Sequence, residues 1–272
     1  MTHADTDTDT APVPHASAPV GRPRGHTWQP PAGIAPRGTL VVLPGRGEHA
    51  LVYERFGRRL AADGYVVHAL DTTPDDRPDA LRAAVTTALG GAAVAPVVLV
   101  GSDTGALQAL HLAAAGDPSR RPDGVIAAGT ALPPTPGARV RRAPSPERTW
   151  DGELDARTAC PTHRARLTDD PDFVRGRLDT PVPPHLRPDV RPDVPVLVLH
   201  GAADPLTPAA PVRDLAARLP RAAFGLLHDG RHDVLNDATH RSTAATVVLW
   251  LERLRADPDL RPVLTVETDP FA

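Results

Sequence analysis

Short apolar runs alternate with longer amphipathic segments along most of the chain. The apolar runs predict buried strands and cover residues 39–43, 66–70, 97–100, 124–128, 196–200 and 222–227. The amphipathic segments predict helices and cover residues 52–62, 78–89, 105–115, 208–219 and 241–255. An alternation of this kind is typical of an α/β fold, in which helices flank a mostly parallel sheet.

Three segments fall outside the alternation. Residues 1–37 are expected to form a disordered N-terminal tail, because residues 1–29 are rich in Thr, Asp, Pro and Ala and lack the apolar stretch of a secretory signal. Residues 133–193 are rich in Pro, Arg and Asp, with brief helical patches such as 171–178, and predict an inserted lid. The core of the fold is therefore expected at 38–132 and 194–256. Residues 257–272 are compatible with an extra strand or a C-terminal tail.

The segment around Asp103 carries the strongest chemical signal. Residues 97–106 combine a buried strand, a G-x-D-x-G turn and the start of a helix. The two glycines permit a nucleophile elbow, a tight turn that holds one strained side chain exposed above the sheet. We therefore expect Asp103, which stands where serine is usual, to face the substrate. A shift of one residue would present Ser102 instead, but the glycine spacing favours Asp103.

Other loops at the strand ends carry groups that could act with Asp103. Asp204 and His232 follow the last two predicted strands, so the chain order is nucleophile, acid and base. Asp204 is the predicted acid and His232 the predicted base. The alternatives are a helix cap for Asp204 and a solvated loop histidine for His232. The backbone amides of Arg46 and Thr104 are the predicted oxyanion-hole donors.

Two motifs in the chain resemble those of one enzyme family. The first is Gly45-x-Gly47-Glu48-His49, followed by Tyr53, and the second is Gly230-Arg231-His232-Asp233-x-x-Asn236-Asp237. Over residues 38–255 the chain resembles the α/β-hydrolase superfamily, and most closely its monoacylglycerol lipase and lysophospholipase-like branch, often grouped with serine aminopeptidases. The resemblance implies a hydrolase. In that branch serine is usual at the position of Asp103, and histidine at the position of Pro44.

An aspartate nucleophile changes the expected reaction. Attack of Asp103 on an ester carbonyl gives an adduct that reverts, because the carboxylate leaves more easily than the alkoxide. Attack on a saturated carbon gives an alkyl ester, which water activated by His232 can cleave. Haloalkane dehalogenases and epoxide hydrolases, which the chain resembles in fold, work in this way. The chain lacks their helper groups, since it has Thr104 where such dehalogenases carry a halide-binding tryptophan and no tyrosine in the lid.

We therefore predict a hydrolase of a small or medium apolar substrate, with an Asp103-Asp204-His232 triad and an alkyl-enzyme ester intermediate. Tyr53, Trp150 and His163 are the predicted substrate-binding residues. Two alternatives stay open. A lyase or isomerase would use Asp103 and His232 only to move protons, and an inactive member of the fold would bind a ligand without turnover.

Composition narrows the range of partners. The chain has a net charge of −3 and no lysine, which excludes Schiff-base chemistry and a Walker-type phosphate loop. No long basic run and no membrane-spanning apolar stretch is present, so a small-molecule substrate is expected, with no nucleic acid, no membrane span, no cofactor and no metal. The single cysteine, Cys160, is expected to pack within the lid and excludes an internal disulfide. A cytoplasmic monomer or small homo-oligomer is expected.

Overall fold

A computed structural model describes residues 25–115, 121–133 and 149–265 of the chain. Seven strands form one sheet in the order β1-β3-β2-β4-β5-β6-β7. The strands are β1 (Gly25–Trp28), β2 (Gly38–Leu43), β3 (Tyr65–Leu70), β4 (Val97–Ser102), β5 (Gly124–Ala128), β6 (Val196–Gly201) and β7 (Ala222–Leu227). The helices are α1 (Glu54–Ala62), α2 (Pro78–Leu89), α3 (Thr104–Ala114), α4 (Trp150–Arg157), α5 (Pro161–Asp169), α6 (Ala209–Arg218) and α7 (His240–Ala256). The predicted α/β fold is confirmed.

The sheet is parallel except at one edge, where β1 runs antiparallel to β3. In its centre, Leu40 of β2 pairs with Val98 of β4, and Val98 pairs with Gly124 of β5. Every residue of β2 and β5 is buried. Strands covered on both faces need apolar side chains on both sides, which explains why the sequence shows continuous apolar runs here.

Two apolar clusters cover the two faces of the sheet. On one face, Phe56 of α1 and Trp250 of α7 pack against residues of the central strands. On the other face, Leu81 of α2, Leu107 of α3 and Val212 of α6 do the same. The amphipathic segments therefore place their apolar sides on the sheet, as their periodicity predicts. Among the described residues, no helix has both the length and the apolar character needed to cross a membrane.

The predicted N-terminal tail is partly wrong. Strand β1 lies inside residues 1–37, and its four residues pair with β3, from Gly25 opposite Leu70 to Trp28 opposite Val67. Burial of the Trp28 side chain against α1 stabilises this edge strand. The sequence gives a weak signal here because β1 has only four residues. Residues 1–24 lie outside the described part of the chain.

The predicted lid contains more regular structure than expected. Helices α4 and α5 lie within 149–193, whereas the predicted helical patch at 171–178 holds only the beginning of a 3-10 turn at Arg177–Asp179. Leu154, Leu167 and Phe173 are buried in the same apolar cluster as α1 and α7. This part of the lid is therefore packed onto the core. Residues 134–148 lie outside the described part of the chain, and residues 257–265 contain no strand.

Candidate active site

The turn at Asp103 has the backbone geometry of an elbow. Asp103 lies between β4 and α3 with φ of 54° and ψ of −118°. A residue with a side chain adopts such a conformation at a cost of about 1–3 kcal/mol, so its surroundings must hold it in place. A Cβ at Gly101 would lie 2.1 Å from the carbonyl oxygen of Gly105, and a Cβ at Gly105 would lie 2.2 Å from that of Leu43. Only glycine allows strand and helix to approach this closely, and the approach fixes the position of Asp103.

The carboxylate of Asp103 is buried, with 1% of its residue surface exposed, so the expectation of an exposed side chain is wrong. The guanidinium of Arg46 covers it. The backbone amide and Nε of Arg46 each lie 2.8 Å from Oδ2, and Nη2 lies 2.8 Å from Oδ1. This two-point contact is the strongest geometry for a guanidinium and a carboxylate. In this arrangement the carboxylate has almost no contact with solvent.

The lid holds Arg46 in this position. Its Nη1 donates to the carbonyl oxygens of Leu178 at 3.0 Å and Thr180 at 2.5 Å. The sequence indicates a role only for the amide of Arg46 and gives no signal for its guanidinium. The guanidinium is oriented by two backbone carbonyls that lie more than 130 residues further along the chain, and no local sequence pattern indicates such a contact. The hydroxyl of Thr104, the other predicted donor residue, lies 3.4 Å from Oδ2 of Asp103.

His232 joins Asp103 to Asp204. Its Nε2 lies 3.1 Å from Oδ1 of Asp103, and its Nδ1 lies 2.8 Å from Oδ2 of Asp204. The other oxygen of Asp204 accepts from the amides of Leu206 at 2.8 Å and Thr207 at 3.3 Å. Asp204 therefore both caps a turn and contacts the imidazole. His232 is fully buried, so the alternative of a solvated loop histidine is wrong.

The charges of Arg46, Asp103, His232 and Asp204 stabilise one another. Burial acts to raise the pKa of Asp103, but Arg46 and His232 outweigh it and hold that pKa well below its usual range. Burial acts to lower the pKa of His232, but Asp204 and Asp103 outweigh it and raise that pKa to about 10. The imidazole is therefore protonated at neutral pH, and both of its nitrogens donate hydrogen bonds.

A second buried guanidinium, that of Arg157 in α4, lies behind the first. Its nitrogens lie 3.3 Å from Glu48, 3.1 Å from Glu153 and 3.5 Å from Asp233, measured to the nearest paired carboxylate oxygen. Its Nη2 also donates to the carbonyl oxygen of Arg46 at 2.6 Å. Burial and the nearby Asp233 raise the pKa of Glu48. Arg157 was not among the predicted site residues, although its spacing of four residues from Glu153 is a usable signal for the ion pair.

The predicted substrate-binding residues Tyr53 and His163 contact this second cluster. The hydroxyl of Tyr53 donates to Oε2 of Glu48, and both groups are buried. The Nε2 of His163 lies 3.4 Å from Oδ2 of Asp233. Burial is the largest of the effects that raise the pKa of Tyr53 well above its ordinary value, so its hydroxyl stays protonated. Both side chains support the loops that carry Arg46 and His232.

The third predicted substrate-binding residue, Trp150, packs against the apolar cluster that contains Phe56 and Trp250. Its indole Nε1 donates to the hydroxyl of Thr168 at 3.2 Å, and its ring packs on Phe173 at 5.6 Å between centroids. The guanidinium of Arg175 lies 4.4 Å above the indole. These contacts of Trp150 lie within the lid.

Cys160 is buried, as predicted, and its thiol lies beside a guanidinium. Burial acts to raise the pKa of the thiol, whereas a hydrogen bond from Arg55, 3.2 Å from Sγ, contributes to a net lowering. Arg55 also lines a cavity of about 120 Å³ at the start of α7. The cavity is lined by Arg55, Phe56, Arg59, Leu235, His240, Arg241 and Ala244. It does not include Asp103.

Comparison with known proteins identifies the family. The family model described as "Alpha/beta hydrolase family" matches residues 40–248, which is more than half of the chain. The chain therefore belongs to the α/β-hydrolase family. Comparison with curated proteins gives no match.

Solved structures with the same fold include two monoacylglycerol lipases. The chain is similar to a soluble variant of monoglyceride lipase from Saccharomyces cerevisiae, with 17% identity, a TM-score of 0.66 and coverage of 84% of this chain and 91% of the other. It is similar to the monoacylglycerol lipase of Paleococcus ferrophilus, with 20% identity, a TM-score of 0.63 and coverage of 84% and 97%. The enol-lactonase of Burkholderia xenovorans LB400 gives 21% identity, a TM-score of 0.59 and coverage of 82% and 94%. At these identities the likeness shows the fold alone.

Proposed function

We propose that the chain is a hydrolase in which Asp103 attacks a saturated carbon of a small molecule and carries it as an alkyl ester. The observation that supports this proposal is the continuous contact from Asp103 through His232 to Asp204, over 3.1 Å and 2.8 Å. An elbow carboxylate, a partner imidazole and an orienting acid are the groups that such a reaction needs. The lipase and lactonase activities in the names of the structural neighbours do not transfer, since a carboxylate is unsuited to attack an ester carbonyl.

The two oxygens of Asp103 suit different roles in this reaction. Oδ2 accepts from the amide and Nε of Arg46, so it lies where an ester carbonyl oxygen would be stabilised. Oδ1 contacts Nη2 of Arg46 and Nε2 of His232. We assign Oδ1 as the attacking oxygen, which forms a bond to carbon while the leaving group departs with its electron pair.

His232 acts in the second half of the reaction. Esterification removes the negative charge of Asp103, and with it one of the attractions that raise the pKa of His232. The imidazole then releases its proton to solvent and accepts one from water, which attacks the ester carbonyl carbon. Collapse of the adduct breaks the bond between the carbonyl carbon and the alkylated oxygen, and the imidazolium donates its proton to that oxygen as the alcohol leaves. The carboxyl group of Asp103 then gives its proton to the imidazole, which restores the resting carboxylate and imidazolium. Asp204 keeps the ring oriented throughout.

Isotope labelling tests the proposal. The purified protein is screened against halide, epoxide, ester and lactone panels, and turnover of the accepted substrate is repeated in oxygen-18 water. We expect the label in the peptide that contains Asp103 after many turnovers, because water attacks the carboxyl carbon. Asp103→Ala should lower turnover by at least about 10³-fold, since the covalent step is removed. Label in the product alone, or normal turnover by Asp103→Ala, would contradict the proposal.

A second candidate function is favoured by the raised pKa of His232, about 10. A protonated imidazole is a proton donor at neutral pH, and Asp103 could then act as the partner base without forming a bond to carbon. The corresponding reaction is an elimination or isomerisation. It predicts turnover in oxygen-18 water without label in Asp103, and incorporation of solvent deuterium into the product.

A further inference from the structure

Arg46 has few charged partners besides Asp103. Its Nε and Nη2 donate to the two oxygens of that carboxylate, and its Nη1 donates to the carbonyls of Leu178 and Thr180. The carbonyls satisfy hydrogen bonds but do not carry an opposite charge. Asp179 also attracts the guanidinium electrostatically. Arg46 has 8% of its side chain exposed, so its charge depends strongly on the partner carboxylate.

Ester formation on Asp103 would remove that partner. The ester keeps a carbonyl oxygen for the amide and Nε of Arg46, but the alkylated Oδ1 no longer carries a charge to face Nη2. A buried guanidinium would then have an N–H without a good acceptor, which is costly in a place from which water is excluded. The carbonyls that hold Nη1 oppose rotation of the side chain away from the site. The reaction therefore needs a replacement anion beside Nη2.

We propose that the side chain of Arg46 binds an anionic group that the substrate brings to the site, next to the carbon attacked by Asp103. Two sources share this chemistry. The anion is either the leaving group, such as a halide that departs with the electron pair of the broken bond, or a carboxylate retained on the substrate beside the reacting carbon. The inference rests on the proposed function, and it replaces the expectation of a purely apolar substrate by that of a compact substrate with an anionic or anion-forming substituent.

Asp103→Asn allows this binding to be tested without turnover. The introduced carboxamide is neutral, as an ester is, and asparagine tolerates a positive φ. Its oxygen can accept from the amide and Nε of Arg46, while its NH₂ group faces Nη2, so an external anion is required there. Binding of sodium chloride and sodium acetate is measured by titration calorimetry and by the shift in unfolding temperature, at an ionic strength held constant with sodium gluconate.

We expect Asp103→Asn to bind at least one of the two anions about tenfold more tightly than the wild-type chain, in which the carboxylate of Asp103 already balances the charge of the guanidinium. The gain should be absent from Asp103→Asn/Arg46→Gln. It should remain in Asp103→Asn/Arg59→Gln, because Arg59 is half exposed and pairs with Asp63. Binding of chloride alone favours the leaving group as the source, and binding of acetate alone favours the retained carboxylate.

No gain for either anion, or a gain that persists without Arg46, would overturn the inference. If Asp103→Asn is poorly folded, Asp103→Gly provides the second variant, since glycine suits the turn and leaves room for formate or acetate. A rise in its unfolding temperature with these anions supports the inference, and the lack of such a rise opposes it. The variants could bind the anions while the wild-type reaction leaves no oxygen-18 label in Asp103. That combination would contradict the proposed function but would support the anion site at Arg46.

Discussion

Two buried arginines lie at the same edge of the sheet and have different surroundings. Arg46 makes a two-point contact with one carboxylate, that of Asp103. Arg157 lies within 3.5 Å of oxygens from Glu48, Glu153 and Asp233. One guanidinium is therefore in direct contact with the carboxylate of the elbow, whereas the other contacts three carboxylates, which come from the loop after β2, the lid and the loop that carries His232.

The difference indicates different roles for the two arginines. A group that balances three fixed carboxylates cannot change partner without leaving several charges buried and unpaired, so Arg157 is a structural crosslink. The carboxylate in two-point contact with Arg46 is that of Asp103, and a reaction at that carboxylate changes the surroundings of Arg46 directly. The hydrogen bond from Nη2 of Arg157 to the carbonyl oxygen of Arg46 connects the two arginines, because it holds the backbone of the loop that carries Arg46.

Removal of Arg157 should have the largest effect on stability. Arg157→Met leaves three carboxylates close together in a buried place, and we expect a loss of about 3–5 kcal/mol in the free energy of unfolding. Urea denaturation followed by circular dichroism measures the loss. Arg157→Lys keeps the charge and should lose less. Equal stability of the wild-type chain and Arg157→Met would show that these carboxylates are protonated or solvated.

Removal of the Arg46 side chain should destabilise less. Arg46→Met leaves Asp103 without its two-point contact, and His232 still contacts Oδ1, so we expect a loss of about 1–3 kcal/mol in the same measurement. The double variant Arg46→Met/Asp103→Asn should recover part of this loss, because the carboxylate that lost its guanidinium is also removed and asparagine tolerates the positive φ. A loss equal to that of Arg157→Met would contradict the distinction between the two arginines.

The free energy of unfolding should depend on pH through the ion pairs that His232 forms with Asp103 and Asp204. The pKa of His232 in the folded chain, about 10, lies above its ordinary value of 6.5, so the contribution of His232 to stability is fully present below pH 6.5 and is lost as the pH rises toward 10. The pKa of Asp103 is lowered, so its contribution is present above its unfolded pKa and is lost in acid. Between pH 6 and pH 10, the free energy of unfolding measured by urea denaturation should fall more steeply with pH for the wild-type chain than for His232→Asn. An equal pH dependence of the two chains would show that the pKa of His232 is not raised.

Asp103→Ser should convert the elbow to weak ester chemistry. The shorter side chain leaves the oxyanion position beside the amide of Arg46, and His232 and Asp204 remain to activate the hydroxyl. We expect slow hydrolysis of p-nitrophenyl acetate, above the rate of Asp103→Ala, which serves as the matched control. A wild-type chain that is already a good esterase would show that the argument against carbonyl attack is wrong.

The smallest effect is expected at Trp150. Its contacts with Thr168 and Phe173 lie within the lid, so Trp150→Phe should keep turnover within about twofold of the wild-type rate and change stability by less than about 1 kcal/mol. Steady-state kinetics on the substrate found by the panels provides the measurement. A large rise in KM would restore the sequence-based expectation that Trp150 binds substrate.

Sequence patterns predicted the parts of the fold that depend on local burial. The apolar runs that became β2, β4 and β6 are buried along almost their whole length, so composition alone marks them. The turn at Asp103 was also predictable from the sequence, because the close contacts at positions 101 and 105 admit only glycine and both glycines are visible in the motif. Strand β1 was missed because its order comes from pairing with β3, and helices α4 and α5 because Pro, Arg and Asp obscure their periodicity.

The candidate site was predicted in outline and missed in its electrostatics. Chain order was enough to select Asp204 and His232, because parallel strands end at the same edge of a sheet. Nothing local to Arg46 or Arg157 shows that each guanidinium is buried among groups distant in the sequence. The expectation that Asp103 is exposed failed for the same reason, because the covering arginine is fixed by carbonyls of the lid.

The C-terminal end of α4 limits how the site can open. The carbonyl oxygens of Ala156 and Arg157 accept hydrogen bonds from the backbone amides of His232 at 3.3 Å and Asp233 at 2.8 Å. A swing of α4 away from the sheet would therefore carry the imidazole with it and separate it from Asp103. Residues 174–180 make different contacts, since the amide of Val174 donates to the carbonyl oxygen of Gly47 at 2.9 Å and the carbonyls of Leu178 and Thr180 accept from Arg46. Displacement of this segment, unlike a swing of α4, would uncover Arg46 and leave the imidazole beside Asp103.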